Sequence, residues 1–102
     1  MLDSLHYEDY AGCLNTKFTA RMEDGSQMEF ELIGVVDKSP SEKQEQFVLT
    51  FLGPADAPRS QGTWMLHHDE LGEGLVFLVP VALDDSGLTC EAVFNRMRSV
   101  EQ

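Results

Sequence analysis

A chain of 102 residues, 42% apolar and with nine aromatics (six Phe, two Tyr, one Trp), has room for a single domain spanning 1–102, and its composition excludes a disordered chain. Its 18 acidic against 7 basic side chains leave a formal net charge of -11. That charge repels phosphate backbones and anionic lipid, which excludes nucleic acid and membrane surfaces as partners. The opening Met1-Leu-Asp-Ser-Leu-His has no basic flank or apolar stretch of a signal peptide, and no apolar run approaches the ~20 residues that span a bilayer, so the expected location is cytoplasmic.

Residues 5–15 carry a helix signal. With His6 as N-cap, Leu5 and Tyr10 take the two positions of a hydrophobic staple. Asp9 then lies in the first turn, where the helix dipole favours it, and Asn15 can close the far end in a left-handed conformation. Tyr10, Cys13 and Leu14 fall at i, i+3 and i+4, a face that a short helix buries against a sheet.

Residues 17–36 read as a β-hairpin. Phe18, Ala20 and Met22 alternate with Lys17, Thr19, Arg21 and Glu23, and Asp24-Gly25 is a turn signal. A three-residue loop Asp24-Gly25-Ser26 sets Met22 opposite Met28, Ala20 opposite Phe30, Phe18 opposite Leu32 and Arg21 opposite Glu29, keeping every apolar side chain on one face. Gly34 predicts a bulge before Val35-Val36. Asp37–Gln46 is polar, holds Ser39-Pro40 and five charged residues, and is expected as an exposed loop.

Four further strands are expected within residues 47–94. Phe47–Leu52 is apolar on both faces, with the helix as one cover. Residues 53–62 form a long connection with two prolines, either functional or a plain crossover. Trp64 and Leu66 face inward, and a turn at 67–72 leads to Leu75–Val81, apolar on both faces until Pro80, whose missing donor demands an edge, a bulge or a strand end. After the turn Asp84-Asp85-Ser86-Gly87, the last strand sets Leu88, Cys90, Ala92 and Phe94 on the core face, and the polar tail 96–102 is expected to fray. The fold class is therefore mainly β, a small six-stranded antiparallel barrel or a two-sheet sandwich with one short N-terminal helix.

The combination Leu2-Asp3-Ser4-Leu5-x-Tyr7-Glu8-Asp9, Phe47-x-Leu49-x-Phe51-x-Gly53-Pro54, Gln61-Gly62-Thr63, His68, Leu71-Gly72, Phe77-Leu78-Val79-Pro80 and Glu91-Ala92-Val93-Phe94-Asn95 resembles a family of small bacterial proteins of unknown function, a domain of unknown function often encoded near phage-tail collar-type fibre proteins. The resemblance spans nearly the whole chain and implies an accessory or assembly role. Trp64 fits an aromatic position of that pattern, whereas Cys90 stands where it has Tyr. The resemblance brings no catalytic residue with it.

The residues themselves offer few chemical sites. His67, His68, Asp69 and Glu70 form the densest group of metal-capable side chains, with His6 a further candidate; adjacent histidines on a strand point to opposite faces, so the expectation is no metal and no cofactor. Cys13 and Cys90 sit among apolar neighbours without Cys-x-x-Cys spacing, which predicts buried, reduced thiols in place of nucleophiles. There is no Gly-x-Ser-x-Gly elbow, and Asp84-Asp85 suits turn capping, so no catalytic residue is assigned and an enzyme is not expected. Three readings stand: a protein-interaction or assembly module, a small-ligand-binding barrel, and a metal-dependent enzyme at His67/His68. Phe18, Met22, Met28, Phe30, Phe51, Trp64, Phe77 and Phe94 suffice to fill a small barrel, which opposes the second. Two strands apolar on both faces leave apolar surface uncovered, so the expected partner is another protein or a second copy, met through Val48 and Val76.

Overall fold

The computed structural model describes residues 5–22 and 24–97. One helix, α1 (Tyr7–Ala11), precedes six strands: β1 (Lys17–Arg21), β2 (Gln27–Asp37), β3 (Gln44–Gly53), β4 (Gly62–His68), β5 (Gly72–Asp84) and β6 (Gly87–Met97). All pairings are antiparallel, in the order β1-β2-β3-β6-β5-β4, and β4 returns to β1 through Thr19↔His67, Ala20↔Leu66 and Arg21↔Met65, so the ring of pairings closes. Closure leaves no strand with an unpaired edge along its whole length. The chain is mainly β with one short helix, as its alternating patterns predict.

Alternation decides what the ring encloses. Along β3 every second residue, Glu45, Phe47, Leu49, Phe51 and Gly53, is buried. Phe18, Phe30, Leu32, Trp64, Leu66, Leu78, Leu88 and Ala92 meet them from the other strands. The rings interlock at aromatic distances, Phe18 edge-on to Phe51 at 5.3 Å and Phe30 to Trp64 at 5.6 Å. At Gly53 an added Cβ would lie 2.5 Å from the Phe30 ring, so glycine lets the aromatic core run up to the backbone. The 54–61 connection joins β3 to β4 across this end of the ring and buries Ala57, which makes it a packed crossover. At the opposite end lie α1, the loop 38–43 and the turn 69–71.

The helix is shorter than the expected 5–15. His6 caps it, and the Asp9 carboxylate accepts the His6 N–H at 3.0 Å. After Ala11 the chain turns, Asn15 takes φ 67° as expected, and its N–H donates to the Leu32 carbonyl at 2.7 Å. Tyr10 and Cys13 are buried, but Leu14 is 43% exposed, because the helix has ended before residue 14 and its periodicity no longer applies.

The hairpin register differs from expectation by two residues. Phe18 pairs with Phe30 and Ala20 with Met28, so the faces are as read while the partners are shifted. The Met22 N–H donates to the Ser26 carbonyl at 3.0 Å and the Gly25 N–H to the Met22 carbonyl at 3.1 Å, which places the loop one residue earlier than Asp24-Gly25-Ser26. Gly25 has φ 91°, and a three-residue hairpin loop requires a left-handed residue at its last position. The Asp24 carboxylate accepts the Ser26 N–H and hydroxyl at 2.9 and 2.6 Å, which fixes the turn.

The bulge expected near Gly34 lies between Leu32 and Gly34, and Pro80 borders a second one between Pro80 and Ala82. Two expected polar segments are partly structured. Gln44–Gln46 belongs to β3 and not to a loop, with Glu45 buried, and β6 runs to Met97, so Arg96 is not part of a frayed tail. Residues 1–4, Glu23 and 98–102, on which the N-terminal reading and the rest of that tail depend, lie outside the described residues.

Candidate functional site

The outer face of the sheet carries a row of apolar side chains across neighbouring strands. Val36 on β2 pairs with Val48 on β3, and Val48 pairs with Val93 on β6. Phe77 on β5 and Val93 on β6 each lie two residues beyond the Val79↔Glu91 pair, at which the β5–β6 pairing ends. Val36 is 48% exposed, Val93 60% and Phe77 51%, while Val48 is half-buried between its neighbours. Leu75, also exposed, sits opposite Met65 beside this row. These side chains are β-branched and aromatic, the residue types that suit a pleated surface, and among the described residues none covers Val36, Val93 or Phe77.

Val76 does not belong there. It is 3% exposed and pairs with Trp64 inside the ring, because the pleat that turns Phe77 outward turns Val76 inward. Phe77 correspondingly leaves the expected interior set. Val48 lies on the outer face, half-buried.

Outward positions flanking the row are mostly neutral. Gly34 pairs with Thr50 and Thr50 with Glu91 on one side, and Gln46 pairs with Asn95 on the other. Of these five Glu91 is charged, and the exposed Lys38, whose N–H donates to the Gln46 carbonyl at 2.7 Å, adds a cation on the Gln46 side. A group of acidic side chains lies at the α1 end. Glu8, Asp37, Glu42 and Glu45, with Tyr7, line an open concavity of about 320 Å³.

Glu45 is the anchor of that end. Only 1% exposed, its carboxylate accepts the His6 Nδ1 at 2.8 Å, the Tyr7 N–H at 2.9 Å and the Arg96 Nε at 3.3 Å. The Arg96 guanidinium lies 5.6 and 5.5 Å from the ring centroids of Phe47 and Phe94, which stack on each other at 4.8 Å. Tyr10 packs on both rings at 5.8 Å. One carboxylate therefore ties the first turn of α1 to β3 and β6. No sequence signal marks it, since its donors lie 39, 38 and 51 residues away.

The two histidines part as predicted. His67 points outward, 3.4 Å from Glu73 and 3.5 Å from Asp69, whereas His68 is buried against Phe18 at 4.5 Å between centroids. His6 does not join them; it faces Glu45. The structure instead brings Cys13 and Glu70 to His68, with one potential ligand atom from each residue lying within 4.8 Å of the others.

Hydrogen bonding opposes a metal there. The His68 Nδ1 accepts the N–H groups of Glu70 and Leu71 at 3.1 and 3.3 Å, which leaves the proton on Nε2. That Nε2–H donates to the Thr16 hydroxyl at 2.9 Å, which donates in turn to the Cys13 carbonyl at 2.6 Å. Ligation through Nε2 would drive the proton onto Nδ1, against two N–H donors; a ligating histidine normally donates its other N–H to an acceptor. Burial, followed by the charges of Glu70 and Asp9, pushes the Cys13 thiol above its ordinary range, and burial does the same to Cys90. Neither thiol has the surroundings of a nucleophile. Asp84 caps its turn, accepting the Ser86 N–H at 2.8 Å, as expected of an acidic turn residue.

Residues 5–94 match the model of a family described as Domain of unknown function (DUF6916), and the chain belongs to that family. No curated protein and no solved structure matches it.

Proposed function

We propose that this member of the DUF6916 family is a non-enzymatic protein-interaction or assembly module that docks through the outer face of its sheet. The observation that carries the reading is the paired row Val36–Val48–Val93 across β2, β3 and β6, with Val36 and Val93 about half exposed, and the exposed Phe77 on the next strand, β5. Contiguous apolar surface on an otherwise strongly charged chain marks a protein interface, and the remaining charge keeps the free form soluble. The ring is read as a small barrel whose interior is filled by its own aromatic side chains, which favours surface recognition over enclosure of a ligand. The His68 cluster is read as a structural lock. The sequence resemblance points to a bacterial setting beside a phage-tail-like fibre or collar protein.

The test is affinity purification from the native host with wild-type protein and with Val93→Asp, both checked for native melting. A defined partner, or a self-assembled species, present with wild type and lost with Val93→Asp supports the reading. Identical recovery with both proteins overturns it.

A further inference from the structure

We infer that His68 is an acid-sensitive latch: a proton taken from solvent onto its Nδ1 releases the 69–71 turn and the segment 13–16 while the ring of strands stays closed. Hydrogen-bond geometry carries the inference, which is independent of the docking reading above. The imidazole is 5% exposed and is bonded at both nitrogens. Its Nδ1 accepts the Glu70 and Leu71 N–H groups at 3.1 and 3.3 Å, and its Nε2–H donates at 2.9 Å to the Thr16 hydroxyl, which donates to the Cys13 carbonyl at 2.6 Å. The neutral Nε2–H tautomer is the form that satisfies all of these contacts. An imidazolium donates from both nitrogens, so its Nδ1–H would face two N–H donors. Neither backbone group can give way without moving the turn.

The surroundings supply a second arrangement for the charged ring. Among the described residues, the side chains that face His68 are Cys13 from the turn after α1, Thr16 just before β1, Phe18 on β1 and Glu70 on the turn itself. Burial first, and then the charges of Glu70 and Asp9, keep Cys13 a neutral thiol. His67 turns away toward Asp69 and Glu73, and Lys17 toward Glu29. The Glu70 carboxylate lies within 4.8 Å of a His68 ring nitrogen, close enough to favour the imidazolium and to accept its Nδ1–H once the turn has shifted. Asp69 and Glu70 are exposed and Leu71 is half-buried, so the turn is lightly held. Acid therefore exchanges two backbone hydrogen bonds for one charge-assisted bond and opens this corner by itself.

Nuclear magnetic resonance of the full chain between about pH 8 and about pH 5 tests this, following the His68 ring nitrogens and the amides of Glu70 and Leu71. The expected result is proton uptake at Nδ1 and movement of both amides at one shared midpoint. Hydrogen-exchange protection of the two amides, corrected for the pH dependence of exchange itself, should fall roughly tenfold, while Leu49 and Phe51 in the β3 ladder keep theirs. His67→Ala should leave the step in place. His68→Asn, whose side-chain oxygen can accept the same N–H groups but takes up no proton, should abolish it, and Glu70→Gln should require a more acid solution for the same opening. Protection that stays constant while His68 gains its proton overturns the latch, as does a His68 that stays neutral until the β3 amides are also lost, or a step that survives in His68→Asn. The wild-type measurement decides by itself where a variant does not fold.

Discussion

Replacing Glu45 by Ala should cost about 3 kcal/mol of stability. The carboxylate accepts three hydrogen bonds, and bonds to a charged group contribute roughly 1.5 to 3 kcal/mol each when their partners cannot turn to water. His6 can turn to water, since its side chain is 50% exposed, so its bond is discounted. The Tyr7 N–H and the Arg96 Nε lose the Glu45 carboxylate, and breaking a buried pair from one side costs about 3 to 5 kcal/mol. Arg96 is 26% exposed and keeps its place over Phe47 and Phe94, which sets the estimate near the lower end of that range. At roughly 4 to 8 °C per kcal/mol for a domain of this size, the midpoint should fall by about 15 °C. Urea unfolding gives the free energy directly, with a lower midpoint and an unchanged slope. Glu45→Gln keeps the shape but loses the charge and turns an amide NH2 toward donors, so it should cost about half as much. A loss below about 0.5 kcal/mol for Glu45→Ala would show that the carboxylate is solvated and that α1 is held by its aromatic contacts alone.

Trp64→Ala should cost about 3 to 5 kcal/mol, since Trp64 is 4% exposed and packs on Phe30; melting within two degrees of wild type, roughly the shift of a surface change, would place it outside the core. His68→Ala should cost about 2 to 4 kcal/mol in urea unfolding, through the Phe18 contact and three hydrogen bonds, whereas the outward His67→Ala should stay within about 0.5 kcal/mol. Equal effects would refute the assignment of faces. Val76→Asp should abolish folding by burying an unpaired charge, while Phe77→Ser should leave the melting midpoint close to wild type, as read by circular dichroism; the reverse order would invert the pleat of β5. Both thiols are raised above their ordinary value of 9.0, so the native state keeps protons that the unfolded chain releases. Their contribution to stability is whole below pH 9.0 and is lost as pH rises through the raised values; native labelling with a thiol reagent at neutral pH should be far slower than labelling of the unfolded chain.

The elements themselves were legible because the strands alternate. Phe18, Ala20, Phe30, Phe47, Leu49, Trp64, Leu66, Leu88 and Ala92 all face inward, as period two requires. Partner choice was less legible. Slipping the first hairpin by two residues keeps every face, so hydrophobic pattern cannot choose between Phe18 opposite Phe30 and Phe18 opposite Leu32. The left-handed Gly25 does choose, since it must end the loop. Glu45 lay beyond reach, because a carboxylate in a polar stretch ordinarily faces water, and what holds this one inward comes from the distant His6, Tyr7 and Arg96. Cys13 and His68 likewise meet only through the fold, 55 positions apart, with Thr16 as the link.

The reading of β5 went astray for a reason that bears on function. From Leu75 to Val81 both faces are apolar, so period two cannot say whether Val76 or Phe77 turns inward. Pairing decides it. Val76 lies opposite Trp64, and Gly74, on the same face, lies opposite Leu66, so β5 presents its smaller side chains where β4 presents its larger ones. Phe18, Phe30, Phe51 and Trp64 already occupy the ring, and a further phenyl ring in place of Val76 would overpack it. The aromatic that the interior has no room for is thereby placed on the surface, on the strand next to that of Val93. The same volume constraint that fills the core thus turns this aromatic outward, where no other described residue takes its place in the packing.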